Sequence, residues 1–452
     1  MKSLTSKDYL FSNTDLRKLI VPLIFEQALA ITVGMADTIM ISSAGEAAVS
    51  GVSLVDMLNM LIFGVLAAIS TGGCVVVSQS LGAQKQKQAC TESRQVLYTV
   101  LFFSIIIAVL MVGFRNAVLN LFFGKIDENV MEACLTYLII SSFSFPFLGI
   151  YNSCAALFRA MGKTNITFIV SIIGNVINIT GNAILIFGFH MGVAGVAIPT
   201  LVSRIIMALI LYILLKNKKL EIHFEKEKFN INFNIVKKIL YIGIPSGIEN
   251  GIFQLGRVLV VSIISSFGTI QIAANGVANS LDSMGCIIGQ AMNLAMITVI
   301  GRCVGANDKE QIAYYTKKLL LITYVATAIV NSTILLLLSP ILKLYGLTSE
   351  TTELTRILVL IHNGMAIFMW PLSFVLPNML RACNDVKFPM FISIFSMFLF
   401  RVGLSYILGS SFGMGAIGVW IAMLVDWLFR IICFVLRYIH GNWKTSMYKL
   451  SK

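Results

Sequence analysis

Charge is the scarcest ingredient of this 452-residue chain: 12% of its residues are Asp, Glu, Lys or Arg, against 57% that are apolar. A soluble globular domain carries about 25% charged residues, so that class is excluded. The eight cysteines include no CxxC pair and no cluster with any of the four histidines, so neither a disulfide framework nor a zinc site is supported. Their default role is that of small apolar packing residues. There is no zinc-binding HExxH, no P-loop and no nucleophile, acid and base constellation, which argues against an enzyme. No sizeable polar domain interrupts the apolar runs, which argues against a signal-relaying receptor. A cleavable leader is not expected either, because Met1 to Lys18 is polar and the apolar run behind it is too long for a signal core.

What the chain does have is length of hydrophobic run. Twelve apolar stretches lie at about 19–41, 53–80, 95–114, 131–157, 164–188, 192–215, 236–266, 275–304, 317–340, 353–380, 388–410 and 415–438. Each is near or above the roughly 20 residues that a spanning helix needs, and 53–80 and 275–304 are long enough to run past the bilayer at one end. The expected fold is an all-α membrane protein. A net charge of +13 could suggest a nucleic-acid partner, but 26 of the 34 Lys and Arg fall on the N-terminus, the even-numbered connections and the C-terminus. Only Arg115, Lys125, Lys343 and Arg356 fall on the opposite connections. This asymmetry is the positive-inside rule, and it predicts cytoplasmic termini in the plasma membrane and no nucleic acid.

The stretches repeat. Val21-Pro22 followed by Glu26 returns as Ile244-Pro245 followed by Glu249, an offset of 223 residues. Leu81-Gly82-Ala83 returns as Val304-Gly305-Ala306, Met191-Gly192 as Met414-Gly415, and Phe158-Arg159-Ala160, with one residue fewer, as Leu380-Arg381-Ala382. The halves are one six-helix unit used twice. An even number of spans makes the repeats parallel, and two such lobes suit alternating access in a transporter. The expected domains are an N-terminal lobe at 1–215, a basic cytoplasmic linker at 216–238 and a C-terminal lobe at 239–452. Pro22 and Pro245 are expected one turn into their helices, where a missing backbone hydrogen bond favours a kink.

Ionisable groups inside a membrane helix cost about 2.5 to 3.5 kcal/mol on insertion scales and are functional candidates. Glu26 and Asp37 both sit in the first stretch, about 12 Å and 28 Å beyond Lys18 at 1.5 Å per residue. The plainer alternative is that either one hydrogen-bonds a neighbouring helix. Asn178 and Asn182 share a face of the fifth stretch, with Asn175 one turn earlier, and either line a cavity or tie helices together. The pairs Asp56 with Asn59 and Asn279 with Asp282 correspond across the repeat and read as helix-start caps near water, or as the mouth of a cavity attracting cations. Arg257, Arg401 and Arg430 lie within spans, Arg430 at the i,i+4 spacing from Asp426, and pairing or snorkelling is their expected role. The 30 Phe and 21 Met could wall an adaptable pocket, or could simply pack and face lipid.

Taken in order, VPLIFEQ, GMADTIM, SQSLGAQ, FRAMGKT, NVINITGN, AGVAIPT, GIPSGIEN and GRCVGAN span almost the whole chain. In order and spacing they resemble the multidrug and toxic compound extrusion (MATE) family of antiporters. The resemblance implies a V-shaped pair of six-helix lobes, acting without a cofactor as a monomer in the lipid bilayer and exporting amphipathic, often cationic small molecules in exchange for Na+ or H+. It further implies a first-lobe cation site at Asp37, Asn178, Asn182 and Thr200, with Asn182 standing where relatives often carry aspartate. A hard cation gains from ligand charge that an amide lacks, so the coupling ion stays open. A functional glutamate on the seventh helix maps to Glu249, acting alone or with Asn250, His362 or Asn363 if those approach it. The tenth-helix aspartate of some branches has no counterpart near Trp370. The runner-up is a flippase for lipid-linked oligosaccharides, which would need a strongly cationic cavity, whereas the candidate residues are mostly acidic or amide.

Overall fold

A computed structural model describes residues 9–124, 126–224 and 230–449. In lipid a backbone must satisfy its own N–H and C=O groups, so long apolar runs become helices. All regular structure among the described residues is helical. In the first half α1 is Asn13–Ser42, α2 Glu46–Gly82, α3 Gln86–Gly113, α4 Glu128–Ala160, α5 Thr164–Gly188 and α6 Gly192–Leu214. In the second half α7 is Phe233–Ser265, α8 Thr269–Gly285, α9 Ile287–Gly305, α10 Lys309–Leu336, α11 Ser349–Ala382, α12 Lys387–Ser411 and α13 Gly415–Ile439. Twelve of these helices are long and apolar enough to cross a membrane.

The second half departs from the first in one place. Where α2 runs unbroken for 37 residues, its counterpart is divided at Cys286 into α8 and α9. Pro22 and Pro245 lie more than two turns inside α1 and α7 rather than one, because polar residues ahead of each apolar run are helical too. Widened, π-type turns close α5 at Ile184–Gly188, occupy Pro371–Val375 in α11, and recur at Met397–Leu404 and Ile407–Ser411 in α12. Such turns often mark functional positions.

The chain divides into two compact units, Asn13–Gly247 and Ile248–Lys452, the latter joined by the residues before Asn13. The first turns of α7 thus belong with the first unit, where a Cβ on Gly72 of α2 would come within 2.6 Å of the Ile239 carbonyl oxygen. Only glycine lets the two backbones approach so closely. In the second unit Leu10 and Phe11 donate backbone N–H groups to Gln311 Oε1 at 2.9 Å and Tyr315 Oη at 2.8 Å. Part of the expected linker, residues 225–229, lies outside the described residues.

Candidate functional site

The first unit gathers Asp37, Asn178, Asn182 and Thr200 into one directional chain. Thr200 Oγ1 donates to the Val196 carbonyl at 2.9 Å, so its lone pairs accept from Asn178 Nδ2, also at 2.9 Å. This turns Asn178 Oδ1 toward Asn182, whose Nδ2 reaches it at 3.5 Å and donates to Asp37 Oδ1 at 2.7 Å. The amide oxygen of Asn182 is thereby turned away from the carboxylate. It is buried and has no hydrogen-bond partner. A buried carbonyl left unpaired costs about 1–3 kcal/mol. Close packing of α5 on α6 makes the chain possible, since a Cβ on Gly181 would fall 2.7 Å from the Pro199 ring.

Asp37 is half-buried and has no ion pair within 4.0 Å among the described residues. A second polar cluster lies beside it and went unread in the sequence. Arg204 donates to Ser144 Oγ at 2.5 Å and stacks 4.6 Å from the Phe63 ring centre. Its charge acts on Asp37, Asp56 and Tyr137, and Tyr137 hydrogen-bonds Asp56. The available signal was a lone arginine in the sixth apolar stretch. Asp56 lies ten residues inside α2 and bonds Asn59 at 3.3 Å, so the expectation of a helix-start cap fails. Asp282, near the C-terminal end of α8, fails it too.

Glu26 is engaged otherwise. It accepts from Thr167 Oγ1 at 2.9 Å and stands 4.0 Å from Arg159, joining α1 to α5 and α4. Its repeat partner Glu249 does the same more tightly, with Arg381 Nη2 on its Oε2 at 2.5 Å and a further bond to Ser393. Glu–Arg ties at matched positions of both halves point to a shared architectural role. The partners once considered for Glu249 are elsewhere: Asn250 is exposed, and His362 meets Asp282 at 2.9 Å and Asn363 at 3.4 Å. Asp426 and Arg430 form their expected i,i+4 pair at 3.0 Å, with Arg401 3.8 Å from the same carboxylate.

The second unit holds a pocket whose lining includes Arg257, Arg401, Asn275, Asn279 and Trp420. Its polar lining is two arginines and two amides, and in this half of the polar interior four arginines face three carboxylates (Arg257, Arg381, Arg401 and Arg430 against Glu249, Asp282 and Asp426).

Residues 22–184 and 245–407 each match the MatE family profile, one match per repeat. An uncharacterized transporter of Bacillus subtilis (strain 168), YisQ, is 28% identical over 422 residues, covering 91% of both chains. The probable multidrug resistance protein NorM of Thermotoga maritima is 25% identical over 438 residues, covering 95% of this chain and 93% of that one. A solved multidrug resistance MATE family transporter in an outward-facing conformation has the same fold, with a TM-score of 0.86 over 96% of both chains at 20% identity. Two profile matches in register with the internal repeat, on twelve membrane-crossing helices, place this multi-pass membrane protein in the MatE family of transporters.

Proposed function

We propose that the chain exports amphipathic, often cationic small molecules across the plasma membrane, driven by a cation that enters at Asp37. The observation that carries this reading is the Asn182 amide, which donates to that carboxylate while its buried Oδ1 has no partner. A proton would need Asp37 alone, its O–H donating to the Asn182 oxygen once that amide turns. Na+ would draw on Asp37 for charge and on Asn178, Asn182 and Thr200 for further oxygens. Na+, which would engage all four side chains, is the coupling ion proposed.

The cycle runs by alternating access, with both termini cytoplasmic and the monomer as the working unit. The cation binds from outside and draws the Asn182 amide around itself, rearranging the polar contacts between α1, α5 and α6. Substrate contacts weaken and the compound leaves. Reorientation carries the ion inward, and each charge moved releases about 2.3 kcal/mol per 100 mV.

Purified protein in liposomes with an imposed Na+ or pH gradient tests the reading. Export of a cationic dye should follow the Na+ gradient and vanish in Asp37→Asn. Full transport by that variant rejects Asp37, and drive by a pH gradient alone assigns the role to H+. The arginine-lined pocket favours one second reading, in which the cargo carries an acidic headgroup, as in a lipid-linked oligosaccharide flippase. Translocation of a fluorescent acidic lipid, with dye export absent, would select it.

A further inference from the structure

Asp282, Cys286 and His362 each offer a ligand atom, all within 4.8 Å of one another, in the second unit. Asp282 Oδ1 lies 2.9 Å from His362 Nε2 and 3.1 Å from Cys286 Sγ. Sequence gave no hint of a metal site because Cys286 and His362 are far apart in the chain and only α8 packing on α11 brings them together.

The histidine is oriented as metal ligands are. Asn331 Nδ2 donates to two backbone carbonyls, Gly285 at 3.2 Å and Thr327 at 2.9 Å, which turns Asn331 Oδ1 toward Asn363 Nδ2 at 2.8 Å. Asn363 Oδ1 then faces His362 Nδ1 at 3.4 Å and accepts its N–H. With Nδ1 committed to a carbonyl, Nε2 is left for a ligand, the outer-shell arrangement that fixes ring and tautomer in metal sites. Trp420 and Trp427 hold the ring edge-on at 5.4 and 4.9 Å between centres. Gly285 makes room for the amides, since a Cβ there would fall 2.4 Å from Asn331 Oδ1. The repeat positions in the first half are Asn59, Phe63 and Ile140, so the fold itself does not require the triad.

We infer that Asp282, Cys286 and His362 form a binding site for one borderline-soft divalent cation of the Zn2+ class. Thiolate, imidazole and carboxylate together suit such ions and not Na+ or Mg2+. Tetrahedral bonds of about 2.0 to 2.3 Å put ligand atoms about 3.3 to 3.7 Å apart, so Asp282 Oδ1 need draw back from each of the other two by only a few tenths of an ångström, and those two lie within 4.8 Å of each other. A fourth position remains for water or cargo. The arginine-lined pocket gives the approach: Asn279 is one helical turn from Asp282, and Trp420 touches His362.

Charge balance removes the main objection. Arg257 and Arg401 also face the triad and would repel an added cation. Carboxylate, neutral imidazole and thiolate carry two negative charges between them, so a divalent ion bound there, with the thiol proton released to solvent, leaves a neutral assembly in a low-dielectric interior, where a bare charge is costly.

The full-length protein, freed of any tag and stripped with chelator, is titrated with Co2+. One equivalent should raise visible d–d bands and a near-ultraviolet thiolate-to-metal charge-transfer band, both bleached by Zn2+. Cys286→Ser should lose the charge-transfer band, and Asn363→Ala should keep it while weakening Co2+ about 10- to 100-fold. Should the serine variant fold poorly, proton release on adding Zn2+ to the wild-type protein decides: one or more per metal, the thiol's among them, supports the site and less than one overturns it. The absence of a charge-transfer band, or its persistence in Cys286→Ser, overturns the proposal. None of these readouts depends on Asp37 or on drug export.

Discussion

Replacing Glu249 by Gln should destabilise the second unit far more than the matched change at Glu26 destabilises the first. Arg381 spends Nη2 on Glu249 and Nη1 on Asn378 Oδ1, each at 2.5 Å, while its Nε is buried without a partner. Both pairs are nearly sealed, with side chains 11 and 13% exposed here and 10 and 12% exposed at Glu26 and Arg159, so the difference lies in the contacts. Removing the carboxylate charge strands a buried guanidinium, which costs about 3–5 kcal/mol. Glu26 stands 4.0 Å from Arg159 and holds one short bond, to Thr167, so Glu26→Gln should cost nearer the 1.5–3 kcal/mol of a hydrogen bond to a charged group. Glu249→Leu with Arg381→Met should recover most of the loss, because a buried pair exchanged for apolar side chains of similar volume is often neutral. Thermal unfolding in detergent, followed by Trp fluorescence or a thiol-reactive dye, gives the ranking. If Glu249→Gln melts with the wild type yet abolishes export, Glu249 is a coupling group and the architectural argument is wrong.

Three other outcomes follow from the same contacts. Asn182→Leu should fold, since it removes an unpartnered oxygen, but should raise the Na+ concentration for half-maximal transport at least about tenfold, by loss of one ligand and of the donor that orients Asp37; unchanged Na+ dependence in liposomes refutes it. Gly72→Ala should lower the melting midpoint by the equivalent of about 1–3 kcal/mol, because its Cβ meets backbone rather than a movable side chain; an unchanged midpoint would show that α2 and α7 separate freely. Arg204→Met should lose the bond to Ser144 and the stacking on Phe63 and cost about 1.5–3 kcal/mol, and Arg204→Lys should not rescue it because one ammonium cannot both reach Ser144 and stack on Phe63; full rescue by Lys, in the same melts, would reduce the role to charge alone.

Much of the architecture was legible in the chain because lipid reads composition locally. Twelve runs, a repeat offset of 223 and an asymmetric spread of Lys and Arg are properties of neighbouring residues, and the helices stand at 164–188 and 192–214 much as those runs predict. Helical spacing likewise put Asn178 and Asn182 on one face, the cost of a charge in lipid singled out Asp37, and the family resemblance added Thr200. What spacing cannot tell is which face meets which. Asp56 resembled a cap because the apolar run began at 53, yet the helix starts at Glu46 and carries it inward. His362, one of three neighbours its position offers Glu249, packs instead against Asp282, and Arg204 lies over Phe63 of another helix.

Hydropathy and charge asymmetry alone thus determined that the chain crosses a membrane many times, in two like halves, with a carboxylate in its opening helix. Tertiary packing alone decided that Asn182 turns its nitrogen to that carboxylate and leaves its oxygen open, that both glutamates are tied by arginines, and that a cysteine, a histidine and an aspartate meet in the second half. The reason is physical. Burial from water depends on what each residue is, whereas the direction of a hydrogen bond depends on what stands opposite, and in a helical bundle that neighbour is rarely close in sequence.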